Sequence, residues 1–238
     1  MRITKVNHIY QLSFMPNFFP VNCYLVEEED YLILVDTALS FHKNAILKAA
    51  RDIGKPIRKV ILTHAHDDHV GALDGIKEVL PDIEVAIPKR ELKLLNGDVS
   101  LEDGEGDSPI KGGIPKNVKT KPDMLLQDGD RIDSLLAIHS PGHTPGMMAF
   151  LDVRDQGLIA GDAFQTKGGM AVSGDLRWSF PFPAMATWNK ERAIESAEHL
   201  LNFRPSLLAV GHGNMIADPE MEMKRALERA KQMVIGVR

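Results

Sequence analysis

One cysteine in 238 residues, Cys23, leaves no pair for an internal disulfide, which excludes a cystine-stapled scaffold and fits a reducing compartment. Set among Val21, Tyr24, Leu25 and Val26, it reads as a small core residue rather than a nucleophile. No apolar run approaches the ~20 residues a membrane span requires. The N-terminal stretch is interrupted by Arg2, Lys5, His8, Gln11 and Asn17, so it holds no secretory h-region. The expectation is a cytoplasmic protein without membrane contact. A basic excess is missing too: the formal charge is -5 and the pI about 6.0, which gives no positive field for a phosphate backbone. A small-molecule partner is therefore expected, not a nucleic acid. With 44% hydrophobic residues the chain can bury one sizeable core, and no compositional break divides it, so residues 1–238 read as a single domain.

What is present in excess is histidine and aspartate at one place. Thr63-His64-Ala65-His66-Asp67-Asp68-His69-Val70-Gly71 puts three imidazoles and two carboxylates into six consecutive positions. Arg58 to Leu62 before it form a short apolar run, as of a buried strand, and Val70, Leu73, Ile76 and Leu80 after it have helical spacing. In an extended segment His64 and His66 point to the same side, so both reach one ion, while Asp68 and His69 turn toward a second position. Neutral imidazole and carboxylate are what a Zn2+-like cation takes at about 2.0 to 2.2 Å. The bland reading, Asp67 or Asp68 as a helix cap beside polar histidines, needs one oxygen and no imidazole.

The rest of the chain alternates strands and helices. Strands are expected at 5–12, 22–27, 31–36, 83–87, 124–126, 131–140, 147–152, 158–160 and 207–210. Helices are expected at 41–53, 70–80, 89–95, 188–203 with Thr187 as N-cap, and from Asp218-Pro219-Glu220 to about Val234. Residues 96–123 are rich in Gly, Asp, Lys and Pro and read as a solvated surface loop. Residues 14–20 suit a loop over the core or a flap over a site, and 163–186 suit a pocket wall, a buried packing loop or a dimer contact. Strand ends deliver further donors: His143 inside Ser140-Pro141-Gly142-His143-Thr144-Pro145-Gly146, Asp162 after Ile159-Ala160-Gly161, and His212 in Gly211-His212-Gly213. His8, His42, His139 and His199 lack such context and read as surface or packing residues.

His64-x-His66-x-Asp68-His69, followed in order by His143, Asp162 and His212, resembles the signature of the metallo-β-lactamase superfamily. The resemblance covers nearly the whole chain. It implies an α+β fold, a four-layer αββα sandwich of two mixed sheets flanked by helices. Seven donors are too many for one tetrahedral ion, of which a catalytic site leaves one position to water. The resemblance assigns His64, His66 and His143 to a first metal and Asp68, His69 and His212 to a second, with Asp162 bridging. It also implies that Asp36, in Val-Asp-Thr at a strand end, supports the histidines by hydrogen bonding.

Two divalent ions are thus expected, Zn2+ first and Fe or Mn as alternatives. The expected reaction is attack by a metal-bridging hydroxide on the carbonyl of a thioester, ester or lactone, with Asp68 orienting the nucleophile. The aspartate at 162 points to the glyoxalase II-like or lactonase-like branch, since true β-lactamases usually carry cysteine, serine or no ligand there. Tyr10, Tyr24 and Tyr31 all precede the metal loop, so no tyrosine stands where the lactonase keeps its phenol, and glyoxalase II's basic C-terminal helical region has no counterpart. Phe18, Phe19, Trp178, Phe180 and Phe182 suggest an apolar acyl pocket, with Lys167 or Arg177 as partners of a substrate carboxylate; core packing explains the same residues. The competing readings are a mononuclear iron persulfide dioxygenase, a phosphodiesterase, and a module that uses metal only to fold.

Overall fold

A computed structural model describes residues 1–235. Seven strands form the first sheet in sequence order: β1 (Arg2–Val6), β2 (Ile9–Phe14), β3 (Val21–Glu27), β4 (Leu32–Val35), β5 (Ile57–Ile61), β6 (Glu84–Pro88) and β7 (Met124–Leu126). β1 to β4 pair antiparallel and β4 to β7 parallel, because α1 (Lys43–Ile53), α3 (Leu73–Val79) and the long connection 89–123 return the chain between the parallel strands. A one-turn helix, α2 (Asp67–Val70), precedes α3, and α4 (Glu91–Leu95) follows β6. The second sheet holds β8 (Arg131–Ile132), β9 (Leu135–His139), β10 (Met148–Asp152) and β11 (Gly157–Ile159). A ribbon of β12 (Phe164–Gln165) and β13 (Ala171–Val172) stands apart, and β14 (Leu207–Ala209) and β15 (Ile216–Ala217) complete the sheet in the order β15-β14-β11-β10-β9-β8. α5 (Phe182–Met185), α6 (Lys190–Leu201) and α7 (Glu220–Ile235) complete the chain's helices.

Four layers have three interfaces, and the buried side chains fall into three clusters. Ile46, Leu73, Ile76 and Leu94 meet Val21, Cys23, Leu25, Leu32 and Leu34 between the first helices and the first sheet. Tyr24, Val26, Ile33 and Val35 meet Ala137, Met148, Phe150 and Ile159 between the sheets. Ala149, Leu151 and Leu158 meet Ala197, Leu200, Met223 and Leu227 under the last helices. Alternate residues of one strand thus enter different clusters: Leu32 and Leu34 on one face of β4, Ile33 and Val35 on the other. This is why the central strands are unbroken apolar runs. Cys23 sits in this packing, fully buried.

Several boundaries differ from the sequence reading. The run 5–12 is a hairpin that turns at Asn7, which takes the left-handed φ of 49°, and 131–140 folds back likewise at Asp133, φ 54°. The helix expected at 70–80 breaks between Val70 and Leu73; on Gly71 a Cβ would lie 2.7 Å from the Asp67 carbonyl oxygen, 2.8 Å from that of Ala38 and 2.8 Å from the Ser40 nitrogen. α6 is capped by Asn189, whose side chain accepts from the Arg192 amide, and not by Thr187, whose hydroxyl donates to the Pro183 carbonyl instead. α2 has no side-chain cap.

Candidate metal centre

The seven donors all follow the ends of strands: His64, His66, Asp68 and His69 after β5, His143 after β9, Asp162 after β11 and His212 after β14. The Met148 amide donates to the Thr63 carbonyl at 2.9 Å, which fixes the first donor loop to the second sheet. As a result the donors meet at the seam between sheets. Donor atoms of His64, His66 and His143 lie within 4.8 Å of one another, as do those of Asp68, His69 and His212, and those of His64, His69 and Asp162. The Asp162 Oδ2 atom is 3.3 Å from His143 Nε2 and 3.2 Å from His212 Nε2, while Oδ1 is 3.6 Å from His69 Nε2. Asp68 Oδ2 is 3.4 Å from His212 Nε2.

The outer nitrogens of these rings are anchored. His69 Nδ1 donates to Asp36 Oδ2 at 2.7 Å, His66 Nε2 to the Lys111 carbonyl at 2.9 Å and His212 Nδ1 to the Pro20 carbonyl at 2.7 Å. Thr63 gives its hydroxyl hydrogen to Asp36 Oδ2 at 2.8 Å, so its oxygen accepts from His64 Nδ1 at 3.0 Å. Each anchored ring therefore turns a lone pair inward. His64 Nε2, His69 Nε2 and Asp162 Oδ1 are buried with no hydrogen-bond partner. Buried acceptors of this kind are costly unless something electropositive meets them. The donor set therefore fits divalent cations.

Burial, reinforced by the surrounding imidazoles, pushes His64 well below the ordinary histidine value and lowers His66; His143 is driven down to about 3. These three stand ready as neutral ligands. For His69 burial acts in the same sense but is overcome by Asp36, Asp162 and Asp68, which hold the ring well above its usual value; for His212 burial is likewise outweighed by Asp162 and Asp68, which raise it. A cation at that second set therefore displaces protons as it binds. Asp162 is held well below the carboxylate range, against its burial, by His212 and His69.

A family model described as the metallo-beta-lactamase superfamily matches residues 16–212. The chain belongs to the metallo-β-lactamase superfamily. Its two mixed sheets and flanking helices are that superfamily's sandwich, and its members are generally metal-dependent hydrolases. Among relatives, the uncharacterized protein YobT of Bacillus subtilis (strain 168) is 54% identical over 98% of this chain and 100% of its own length. The probable metallo-hydrolase YflN of Bacillus subtilis (strain 168) is 30% identical, covering 81% of this chain and 80% of its own. The crystal structure of TTHA1623 in a di-iron-bound form matches with a TM-score of 0.61 at 27% identity, covering 88% of this chain and 95% of that one.

In the present superfamily member the candidate donors open into a cleft of about 450 Å³ walled by Phe19, Leu39, Phe182 and Met185. Of the residues expected around a pocket, Phe19 and Phe182 line it, and Phe180 is buried beside it with its ring 5.5 Å from that of His212. Phe18 and Trp178, 87% and 88% exposed, are not among its walls. Lys167 is spent on the Asn17 carbonyl at 2.8 Å, tethering the 14–20 loop, and Arg177 faces the buried Asp175 at 3.6 Å and the Met170 carbonyl, so neither lines the cleft. The 96–123 segment is not merely a solvated face. Gly112 and Gly113 line the cleft, and a Cβ on Gly112 would fall 2.3 Å from His66 Nε2.

Four further residues support the site. Gln11, Asn22 and Tyr24 reach from the first sheet to the carbonyls of Val210 and Gly213 and so hold the His212 turn. Buried Glu91 accepts from the amides of Ala65 and Gly146, both at 2.8 Å, tying the first histidine loop to the His143 loop. The polar positions of Gln11 and Asn22 inside otherwise apolar strands were the available signal; Glu91 left none.

Proposed function

We propose that this chain is a dinuclear metal-dependent hydrolase acting on the carbonyl group of a thioester, ester or lactone in a small molecule. The observation that supports it most is the placement of Asp162, one oxygen of which lies 3.3 Å from a donor of the first set and 3.2 Å from a donor of the second. His64, His66 and His143 would hold one divalent ion and Asp68, His69 and His212 the other, with Asp162 shared. Zn2+ is the first expectation, with Fe or Mn as alternatives. Bound there, such ions supply Lewis acidity and lower the pKa of water from about 15.7 to about 7. Asp68, partly open to the cleft, orients the attacking water, and Asp36 keeps His64 and His69 aimed. Phe19, Leu39, Phe182 and Met185 give an acyl group an apolar wall, and the excess positive charge of two ions over two carboxylates favours an anionic substrate group.

Elemental analysis of protein purified without added metal, followed by thioester, lactone, β-lactam and phosphodiester substrates, tests this reading. About two metal equivalents and carbonyl hydrolysis are expected. About one iron per chain with no hydrolysis would move the reading to the mononuclear dioxygenase. Asp162→Ala should lose both metal retention and hydrolysis, the latter by at least about a hundredfold. Full activity in that variant would remove the shared carboxylate.

A further inference from the structure

His143, like His64, turns its outer nitrogen to a hydroxyl, but that hydroxyl does not lead on to a carboxylate as Thr63 does. Its Nδ1 lies 3.1 Å from Ser173 Oγ, which lies 2.8 Å from Thr187 Oγ1; Thr187 Oγ1 is itself 3.5 Å from Nδ1, the longer and weaker contact, and both hydroxyls are buried. Each hydroxyl can give one hydrogen and accept another, so the chain alone permits two directions. Its far end removes the choice. Thr187 Oγ1 stands 2.7 Å from the Pro183 carbonyl oxygen, which can only accept. Thr187 therefore spends its hydrogen there, Ser173 must donate to Thr187, and His143 Nδ1 must donate to Ser173. That leaves His143 Nε2 as a bare lone pair, 3.0 Å from His66 Nδ1, itself a lone pair because His66 Nε2 donates to the Lys111 carbonyl. Two lone pairs at this distance repel unless a cation lies between them, and ligand atoms of a tetrahedral ion bound at about 2.0 to 2.1 Å stand roughly 3.3 Å apart.

We propose that Ser173 and Thr187 are positioning residues: a buried one-way hydroxyl relay, terminated by the Pro183 carbonyl, that sets the tautomer of His143 and so completes one cation site. The relay rests on the metal-centre reading above for its purpose, but its direction does not. Pro183 belongs to α5, which walls the cleft together with Phe182 and Met185, so the pocket wall and one ligand are joined through two hydroxyls.

The variants are Ser173→Ala, Thr187→Val, the double variant and Thr187→Ser. In Thr187→Val the hydrogen of Ser173 is released and can be donated to His143 Nδ1, which moves the ring's own hydrogen onto Nε2, where the cation must bind. Nitrogen NMR of the metal-free wild type should show His143 protonated at Nδ1 and bare at Nε2; Thr187→Val should shift it toward the opposite form, and Thr187→Ser should restore it. Stepwise Zn2+ titration against a competing chelator should show one of two binding steps weakened about 10- to 100-fold in Ser173→Ala and Thr187→Val. The other step should be unchanged within about threefold, and the double variant no worse than the weaker single, because both break one chain. Melting curves of the metal-free variants report whether they fold. A wild-type His143 protonated at Nε2, or folded variants with wild-type tautomer and Zn2+ steps, overturns the relay. A wild type that takes up no metal overturns the proposed function, and the tautomer measurement still decides the relay.

Discussion

Asp36 shows how much one carboxylate can organise. It accepts from the Thr63 amide and hydroxyl, each at 2.8 Å, and from His69 Nδ1 at 2.7 Å. Through Thr63 it reaches His64, a donor of the first set, and directly it holds His69, a donor of the second. Asp36 adopts the left-handed φ of 59°, a conformation that aspartate tolerates better than most residues. Asp36→Asn keeps the shape but replaces one acceptor by a donor, so at least one of these three bonds fails. Metal affinity should fall by about 10- to 100-fold at both steps of a chelator competition. An effect on one step only would show that Thr63 does not pass the influence of Asp36 to His64. Resemblance to the superfamily points to Asp36, and all seven candidate donors announce themselves by residue type and by strand ends. Thr63, Ser173 and Thr187 do not, because hydroxyls are common and only their order in space gives them a role. The anchors Lys111 and Pro20 act through backbone carbonyls, which every residue has, so no side-chain pattern could have marked them.

At the level of elements, the longer buried strands are legible, while their ends and the two-residue strands β12, β13 and β15 are not. A strand buried on both faces writes itself as an apolar run, as Leu32-Ile33-Leu34-Val35 does, whereas a turn needs only one residue willing to adopt positive φ, such as Asn7 or Asp133. The break between α2 and α3 is equally unmarked, though it needs no positive φ. Apolar spacing continues across it, but Ala72, at φ -91° and ψ 2°, leaves the helix while Gly71 stays helical and lets three backbone atoms approach closely, and that approach is a tertiary fact. Gly71→Ala must displace backbone on three sides and should lower stability by about 1 to 3 kcal/mol, measured by chemical denaturation of the metal-free protein. A loss under about 0.5 kcal/mol would show that the loop at Ala38 to Ser40 yields easily. The segment 96–123 was misread for the reverse reason. Its polar composition is that of a solvated loop, yet Gly112 and Gly113 have no side chains to keep it off His66.

For the molecule as a whole, no helix among the described residues is long and apolar enough to cross a membrane. Its acid stability depends in part on Glu27, which Lys5 and Lys55 approach at 2.9 Å each. Lys5 and then Lys55 hold the Glu27 carboxyl at about 2, below the ordinary 4.5. A folded-state value depressed in this way contributes stability that is complete above about pH 4.5 and is lost as the pH falls toward 2. Glu27→Gln should therefore flatten the acid limb of a stability-against-pH curve, by at most about 1 kcal/mol because the lysines are partly exposed. A steeper acid limb in the variant would reverse the assignment.

Four candidate donors come from the first sheet's side of the sandwich and three from the second, and neither proposed cation set can be assembled from one side alone. Each half could bury its oily face against its own helices and still be chemically inert. On the proposed reading, reactivity in this architecture is a property of the join, so an ion captured there would also be a rivet, clasping together the two leaves whose meeting creates its berth.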